Sequence, residues 1–221
     1  MEYGRIVKLL PQFYCRTLLL VGVILLAACD SGNPNGESGV LRPLNASYED
    51  ALGQTEVAAH MFTADSVTES QVLERLQNFF SDMTVASVRA NAAIVYAPDA
   101  YLNDNVVGIS GVELITDYFA HAASQADVLD VVFLDVARSK TDYYIRWQMR
   151  VEAKALSDGE PVLSYGTTQF RFDREGRVII HRDFWDAATG IYEHLPYLGP
   201  IIKYVHRKLG GDAALISGDG P

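Results

Sequence analysis

Residues 181–186 read HRDFWD and follow the apolar run Val178-Ile179-Ile180. A strand that begins as core and ends in an imidazole, two carboxylates and an indole either leaves the core for solvent or lines a cavity with its polar end. Along an extended strand, His181, Asp183 and Trp185 share one side. An imidazole and a carboxylate two residues apart can contact the same bound molecule, and each can shift the proton affinity of the other. One aspartate so placed can act as a base on a carbon acid, while one or two polar groups in an apolar pocket serve equally to orient a ligand. Two plainer roles stay open: Asp183 pairing with Arg182, and Asp186 capping a following helix. Other chemistries find little support. His60, His121, His194 and His206 are scattered without ligand spacing, so no metal site is expected. There is no G-x-S-x-G elbow and no phosphate loop, and no cofactor is expected.

The strand pattern places this segment last in a meander. VLDVVFLDVA (128–137), YYIRWQMRVEAKA (143–155), VLSYGTTQFRF (162–172) and RVIIHRDFWD (177–186) read as four antiparallel strands with polar turns between them. Strand 143–155 alternates: Tyr143, Ile145, Trp147, Met149 and Val151 share one face, and Tyr144, Arg146, Gln148, Arg150 and Glu152 the other. Trp147 and Met149 are therefore the natural cavity wall, joined by Trp185, Tyr96 and Phe170 as the candidate ligand-binding lining. Helices precede the meander. Thr68 and Gln71 have capping-box spacing ahead of Val72, Leu73, Leu76, Phe79 and Phe80 at helical intervals. A second helix is expected over Val85–Tyr96, broken by Pro98. Tyr101-Leu102 reads as a short strand, and Ser110 and Glu113 as a box opening a third helix with Val112, Ile115, Tyr118 and Phe119 on one side. Helices first and strands after indicate an α+β fold, with the helices on one face of the sheet.

The ends bound where the domain works. Arg5, Lys8 and Arg16 precede the uncharged stretch Thr17–Ala28, too short to span a bilayer comfortably, and Leu26-Ala27-Ala28-Cys29 follows in the order of a bacterial lipobox. Residues 1–28 are thus expected to be a lipoprotein signal peptide, with lipid on Cys29 holding the protein to the cell envelope, facing the periplasm. Asp30 resembles the inner-membrane retention signal of enterobacterial lipoproteins. The other cysteine, Cys15, lies in the leader, which excludes disulfides and thiol chemistry from the mature chain. The 221 residues carry a net charge of −10; losing the leader's three basic residues and Glu2 leaves 15 basic against 27 acidic residues, a net −12. A nucleic-acid partner is excluded on that charge. Residues 29–67, opening SGNPNGESG, read as a flexible tether, although ALGQTEVAAHMF (51–62) can form a short packed helix. The folded domain is expected over 68–210 and a disordered tail over 211–221. Near its end, Ile201, Ile202, Val205 and Leu209 form a stripe, with Lys203, His206, Arg207 and Lys208 elsewhere. Such a helix either covers the domain, the more frequent case, or rests on anionic lipid.

Three segments, YAPDAYLND (96–104), GISGVELITDYF (108–119) and FRFDREGRVIIHRDFWD (170–186), in this order and spacing, resemble the nuclear transport factor 2-like (NTF2-like) superfamily and its SnoaL-like branch. The resemblance covers about residues 70–190 and implies a cone, a curved antiparallel sheet wrapped round N-terminal helices, here with a C-terminal helical extension. It also implies candidate roles. In ketosteroid isomerase-like members Asp104 would be the base, but Thr168-Gln169 stand where the oxyanion acid belongs, and Asp104 reads equally as a turn acid. In limonene epoxide hydrolase-like members Tyr101 and Asn103 would hold a water, with Asp183 as one of the acids. Arg150-Val151-Glu152 matches the remaining motif in sequence, but on the face away from Trp147. In SnoaL-like cyclases a single aspartate with a nearby histidine, here Asp183 and His181, does the work. Asp183, His181, Tyr101 and Asn103 are the catalytic candidates. Two functions are carried forward: a lipid-anchored domain that binds a small hydrophobic molecule or a protein partner, and an isomerase, cyclase or epoxide-hydrolase-like enzyme using Asp183 as acid or base. The superfamily also implies a possible homodimer through the open face of the sheet, with Arg146, Gln148 and Arg150.

Overall fold

In a computed structural model of the chain, residues 44–157 and 159–210 are described. The expected leader over 1–28, Cys29, Asp30 and the tail over 211–221 lie outside them. The elements run α1 (Leu44–Thr55), α2 (Val67–Phe80), α3 (Val85–Val95), β1 (Tyr96–Asn103), β2 (Gly108–Ser110), α4 (Val112–Ser124), β3 (Val128–Ser139), β4 (Asp142–Glu152), the short α5 (Lys154–Ser157), β5 (Val162–Phe172), β6 (Val178–Trp185), the short α6 (Ala187–Gly190), a 3-10 turn (Tyr192–His194) and α7 (Gly199–Gly210). The six strands form one sheet in the order β2-β1-β6-β5-β4-β3. The antiparallel meander is present as expected. β1, however, joins β6 in parallel, which makes the sheet mixed.

α2 begins at Val67 because Ser66, not Thr68, caps it: the Ser66 hydroxyl accepts from the Glu69 backbone N–H at 3.1 Å. The expected Thr68/Gln71 box is displaced by two residues, because Glu69 is drawn inward to Arg138 and Tyr143. The Ser110/Glu113 box is also absent. Ser110 is held in β2 opposite Tyr101, and Gly111, at φ 100°, makes the turn into α4 with its N–H on the Ala100 carbonyl. That left-handed backbone suits glycine. Pro98 does not end α3, which stops at Val95. It sits inside β1, in the stretch between Tyr96 and Tyr101 where pairing with β6 is interrupted and no ladder N–H is missed.

The core lies between the concave face of the sheet and α2, α3 and α4. Leu76, Phe79, Phe80, Val88, Ala92, Ile115 and Phe119 meet Tyr143, Ile145, Phe170 and Phe172 there. α2 also clamps the free edge of the sheet. The Gln77 amide donates to the Val131 carbonyl and accepts from the Phe133 N–H, beside the bulge that bends β3.

The expected tether over 29–67 is corrected in its second part. α1 packs on the convex face of the sheet, with Ser47 on the Tyr101 hydroxyl at 2.9 Å and Tyr48 donating to Gln169. Arg171 donates to the Leu52 carbonyl and to the Thr55 hydroxyl, and is itself held by Asp142 at 2.6 Å. Low amphipathicity hides this helix in the sequence, because it docks largely through polar partners. Of the two placements open for the C-terminal helix, the described residues show little cover: in α7 only Gly199 is buried and Ile202 half-buried, while Ile201, Val205 and Leu209 are exposed. No helix among the described residues is long and apolar enough to cross a membrane.

Candidate functional site

The site is built by alternation on three adjacent strands. On β4, Trp147 and Met149 face the concave side, while Arg146 and Arg150 face out, paired with Asp135 at 2.7 Å and with Glu152. On β5, Thr168 and Phe170 face in. On β6, His181, Asp183 and Trp185 do so. With Phe80 and Met83, Tyr118, Phe119 and Ala122 of α4, Leu129, Val131 and Phe133 of β3, and Ile191 and Leu195 from the C-terminal segment, they enclose a cavity of about 350 Å³. The wall is carbon almost throughout.

The polar groups form a chain across the three strands. The Trp147 indole N–H donates to the Thr168 hydroxyl at 2.7 Å, and Thr168 donates to Asp183 Oδ1. His181 Nε2 lies 2.9 Å from the same oxygen, and His181 Nδ1 lies 2.8 Å from the Tyr96 hydroxyl. This network assigns the protons. Burial, and then the carboxylates of Asp183 and Asp104, push the Tyr96 phenol well above its usual value, so it keeps its hydrogen. Nδ1 of His181 is its only acceptor among the described residues. The ring therefore carries its proton on Nε2 and donates it to Asp183. Both donations reach Oδ1. Oδ2 takes no hydrogen bond among the described residues, on a side chain that is 15% exposed and lines the cavity.

A second carboxylate reaches the same space. Asp104 closes a turn through Oδ1, which accepts from the Val106 and Val107 N–H groups at 3.0 Å each, and Oδ2 accepts from the Tyr118 hydroxyl. Burial, then Asp104, raises the Tyr118 phenol strongly. The turn-acid reading of Asp104 describes its bonding, and its carboxylate also lines the cavity. Asp186 caps α6, accepting from the Ala188 and Thr189 N–H groups.

The structure brings together His181, Asp183, Trp147, Met149, Trp185 and Phe170, and separates the rest. Tyr101 and Asn103 are not in the cavity. β1 pairs with β6 so that Asn103 lies opposite Arg182 and Leu102 opposite His181, and cross-strand partners share a face. Asn103 therefore sits on the convex side. Its amide donates to Tyr101 at 3.0 Å and its oxygen accepts from Arg182, all beneath α1. Tyr96 is not wall either; it stands behind His181, stacked at 6.1 Å, and sets its tautomer. The sequence reading missed Thr168 and Tyr118 as members of the site. Alternation from Phe170 was signal enough for Thr168; Tyr118 stood on the apolar side of the third expected helix, but a helical stripe does not separate core from cavity wall. Among the described residues no group of His, Cys, Asp and Glu could hold a metal ion.

No family model and no curated protein matches this chain. Among solved structures, a putative polyketide cyclase from Acidithiobacillus ferrooxidans superposes with TM-score 0.50 at 14% identity, over 62% of this chain and 99% of that one. A putative SnoaL-like polyketide cyclase from Jannaschia sp. CCS1 follows at TM-score 0.48 and 19% identity, over 59% and 97%. An NTF2-like protein of unknown function from Exiguobacterium sp. 255-15 stands at 0.44 and 14%, over 52% and 98%. At these identities the likeness concerns the fold, not what the cavity does. The chain folds as an α+β NTF2-like cone, a curved mixed sheet wrapped round its N-terminal helices.

Proposed function

We propose that this domain binds a small, mostly apolar molecule inside the cone and orients it by one hydrogen-bond donor set against Asp183. The observation that carries the proposal is a carbon-walled cavity of about 350 Å³ with one open carboxylate oxygen on its floor. That size and that ratio of apolar wall to polar groups belong to small-molecule sites. We also place the domain at the cell envelope, held by lipid on Cys29; palmitate labelling that persists in Cys29→Ser would refute this part.

The test of binding is a mass-spectrometric survey of molecules that co-purify with the chain, followed by titration read by the Trp147 and Trp185 emission. Asp183→Asn turns one face of the acceptor into an amide and is expected to weaken the bound molecule by about ten- to a hundredfold, the worth of one charge-assisted hydrogen bond. Equal affinity in the variant, or no emission change across an apolar panel, would refute the proposal.

A second reading is catalytic, and the fixed tautomer of His181 favours it. An aspartate with one oxygen held by Thr168 and His181 and the other open to a largely apolar cavity is placed to take a proton from a carbon acid, as an isomerase or cyclase requires. Epoxide hydrolysis is less well supported, since Tyr101 and Asn103, the pair expected to hold the water, lie on the far face of the sheet. Turnover of a ketone by the unaltered chain, lost in Asp183→Asn, would establish the catalytic reading over simple binding.

A further inference from the structure

Among the described residues, α7 is held to the rest of the domain by little more than its first turn and a His206–Glu193 contact. Its twelve residues leave the domain after the 3-10 turn, and only Ile202 is half-buried beyond its first residue. Ile201 is 57% exposed, Tyr204 54% and Leu209 83%, with Tyr197 just ahead at 92%. A helix of this length is marginal in water by itself, and most helices in proteins persist because an apolar face is packed. Here the apolar face exists and is unpacked. Ile201, Val205 and Leu209 stand on one side of the cylinder; Lys203 and Arg207 stand on the other. Lys208 falls within the apolar arc but lies 5.7 Å over the Tyr204 ring, with its long stem along the surface.

The charge of this helix runs against the rest of the chain. Gly199–Gly210 contains Lys203, His206, Arg207 and Lys208 and no acidic residue, in a protein of net charge −10. A surface that attracts this segment and repels the remainder is an anionic one. An apolar stripe flanked by lysine and arginine, with tyrosines at its margin, matches the cross-section of a phospholipid headgroup layer. His206 is tied back to Glu193 at 2.7 Å, which fixes the helix to the turn that carries it.

We propose that α7, with Tyr197 ahead of it, lies on an anionic phospholipid surface, its apolar face in the acyl boundary and its basic side chains among the headgroups. Ile191 and Leu195, which flank the turn leading into α7, also line the cavity. The docked helix therefore sets that side of the cone against the bilayer, where a molecule dissolved in lipid has a short path into it. Only this last consequence rests on the binding role proposed above; the docking does not.

The experiment uses the full chain reconstituted into phosphatidylcholine nanodiscs with and without phosphatidylglycerol, and reads backbone hydrogen exchange over 199–210. Slower exchange by at least tenfold is expected in the anionic discs, no change in the neutral ones, and a loss of protection in half-molar salt, where charges are screened within a few ångströms. Each basic residue near an anionic surface contributes about fivefold to partitioning, so losing Lys203, Arg207 and Lys208 alone is worth about a hundredfold, and reversing them to Glu should weaken docking by more than that. Cavity binding, read separately by the tryptophan titration, should be unchanged in that variant. Equal exchange in both discs, protection that survives the triple reversal, or protection that appears only when a second protein is added would each overturn the proposal.

Discussion

Replacing Thr168 with Val is the sharpest probe of the cavity floor. The two side chains have nearly the same shape, so the perturbation is the loss of one hydroxyl. That hydroxyl accepts from the Trp147 indole at 2.7 Å and donates to Asp183, at a residue only 2% exposed. The indole N–H, left without an acceptor, costs about 1–3 kcal/mol. The bond to the carboxylate is worth about 1.5–3 kcal/mol, partly recovered because Asp183 borders the cavity and can meet water. A net loss of about 2–4 kcal/mol is expected, and roughly 5–15 °C in Tm for a domain of this size. Thr168→Ser keeps the hydroxyl and removes one methyl, so it should lose about 1 kcal/mol. Thermal unfolding by circular dichroism, with tryptophan emission in parallel, separates the two. A Val variant within 2 °C of the unaltered protein, or no worse than the Ser variant, would refute the relay from Trp147 through Thr168 to Asp183.

Two further outcomes follow from buried groups. Arg138, then hydrogen bonds from Asp65 and Tyr143, hold Glu69 below its ordinary value of 4.5 against the opposing effect of burial. Because the folded-state value is depressed, this contribution is whole above about pH 4.5 and is lost as pH falls through the folded value. Urea midpoints measured between pH 7 and 3 should therefore fall with a slope that Glu69→Gln reduces; an unchanged slope would count against the pairing. At Gly166 an added Cβ would lie 2.3 Å from the Trp147 ring and 2.8 Å from Trp185 Cβ. Gly166→Ala should cost about 1–3 kcal/mol by overpacking and drive the Trp147 indole into the cavity. Stability and ligand affinity should fall together; a variant that binds normally would show that the indole has room elsewhere.

Much of the wall was legible in the chain. Strand alternation alone set Trp147 and Met149 inward, Arg150 and Glu152 outward, and His181 beside Asp183 and Trp185. Helix caps were less legible, because a capping-box spacing fits several offsets and the docked partner chooses among them. Glu69 sits where Arg138 and Tyr143 pull it, and α2 starts accordingly at Val67. α1 was hard to see because its hold on the sheet runs through Ser47, Tyr48, Leu52 and Thr55, three of them polar and none part of a hydrophobic stripe.

The division between the two kinds of information is physical. Side chains alternate across a strand because of covalent geometry, so the sequence by itself determined that His181 and Asp183 point the same way and that the Trp147 face is apolar. Which face Tyr101 and Asn103 adopt depends on how β1 is paired, and a register one residue different would turn both over. That pairing is decided by packing between residues some eighty positions apart, Asn103 against Arg182 and Leu102 against His181. Only the tertiary structure could supply it. It removes Tyr101 and Asn103 from the cavity, brings Asp104 and Tyr118 to its wall, and leaves Asp183 as the acceptor on its floor.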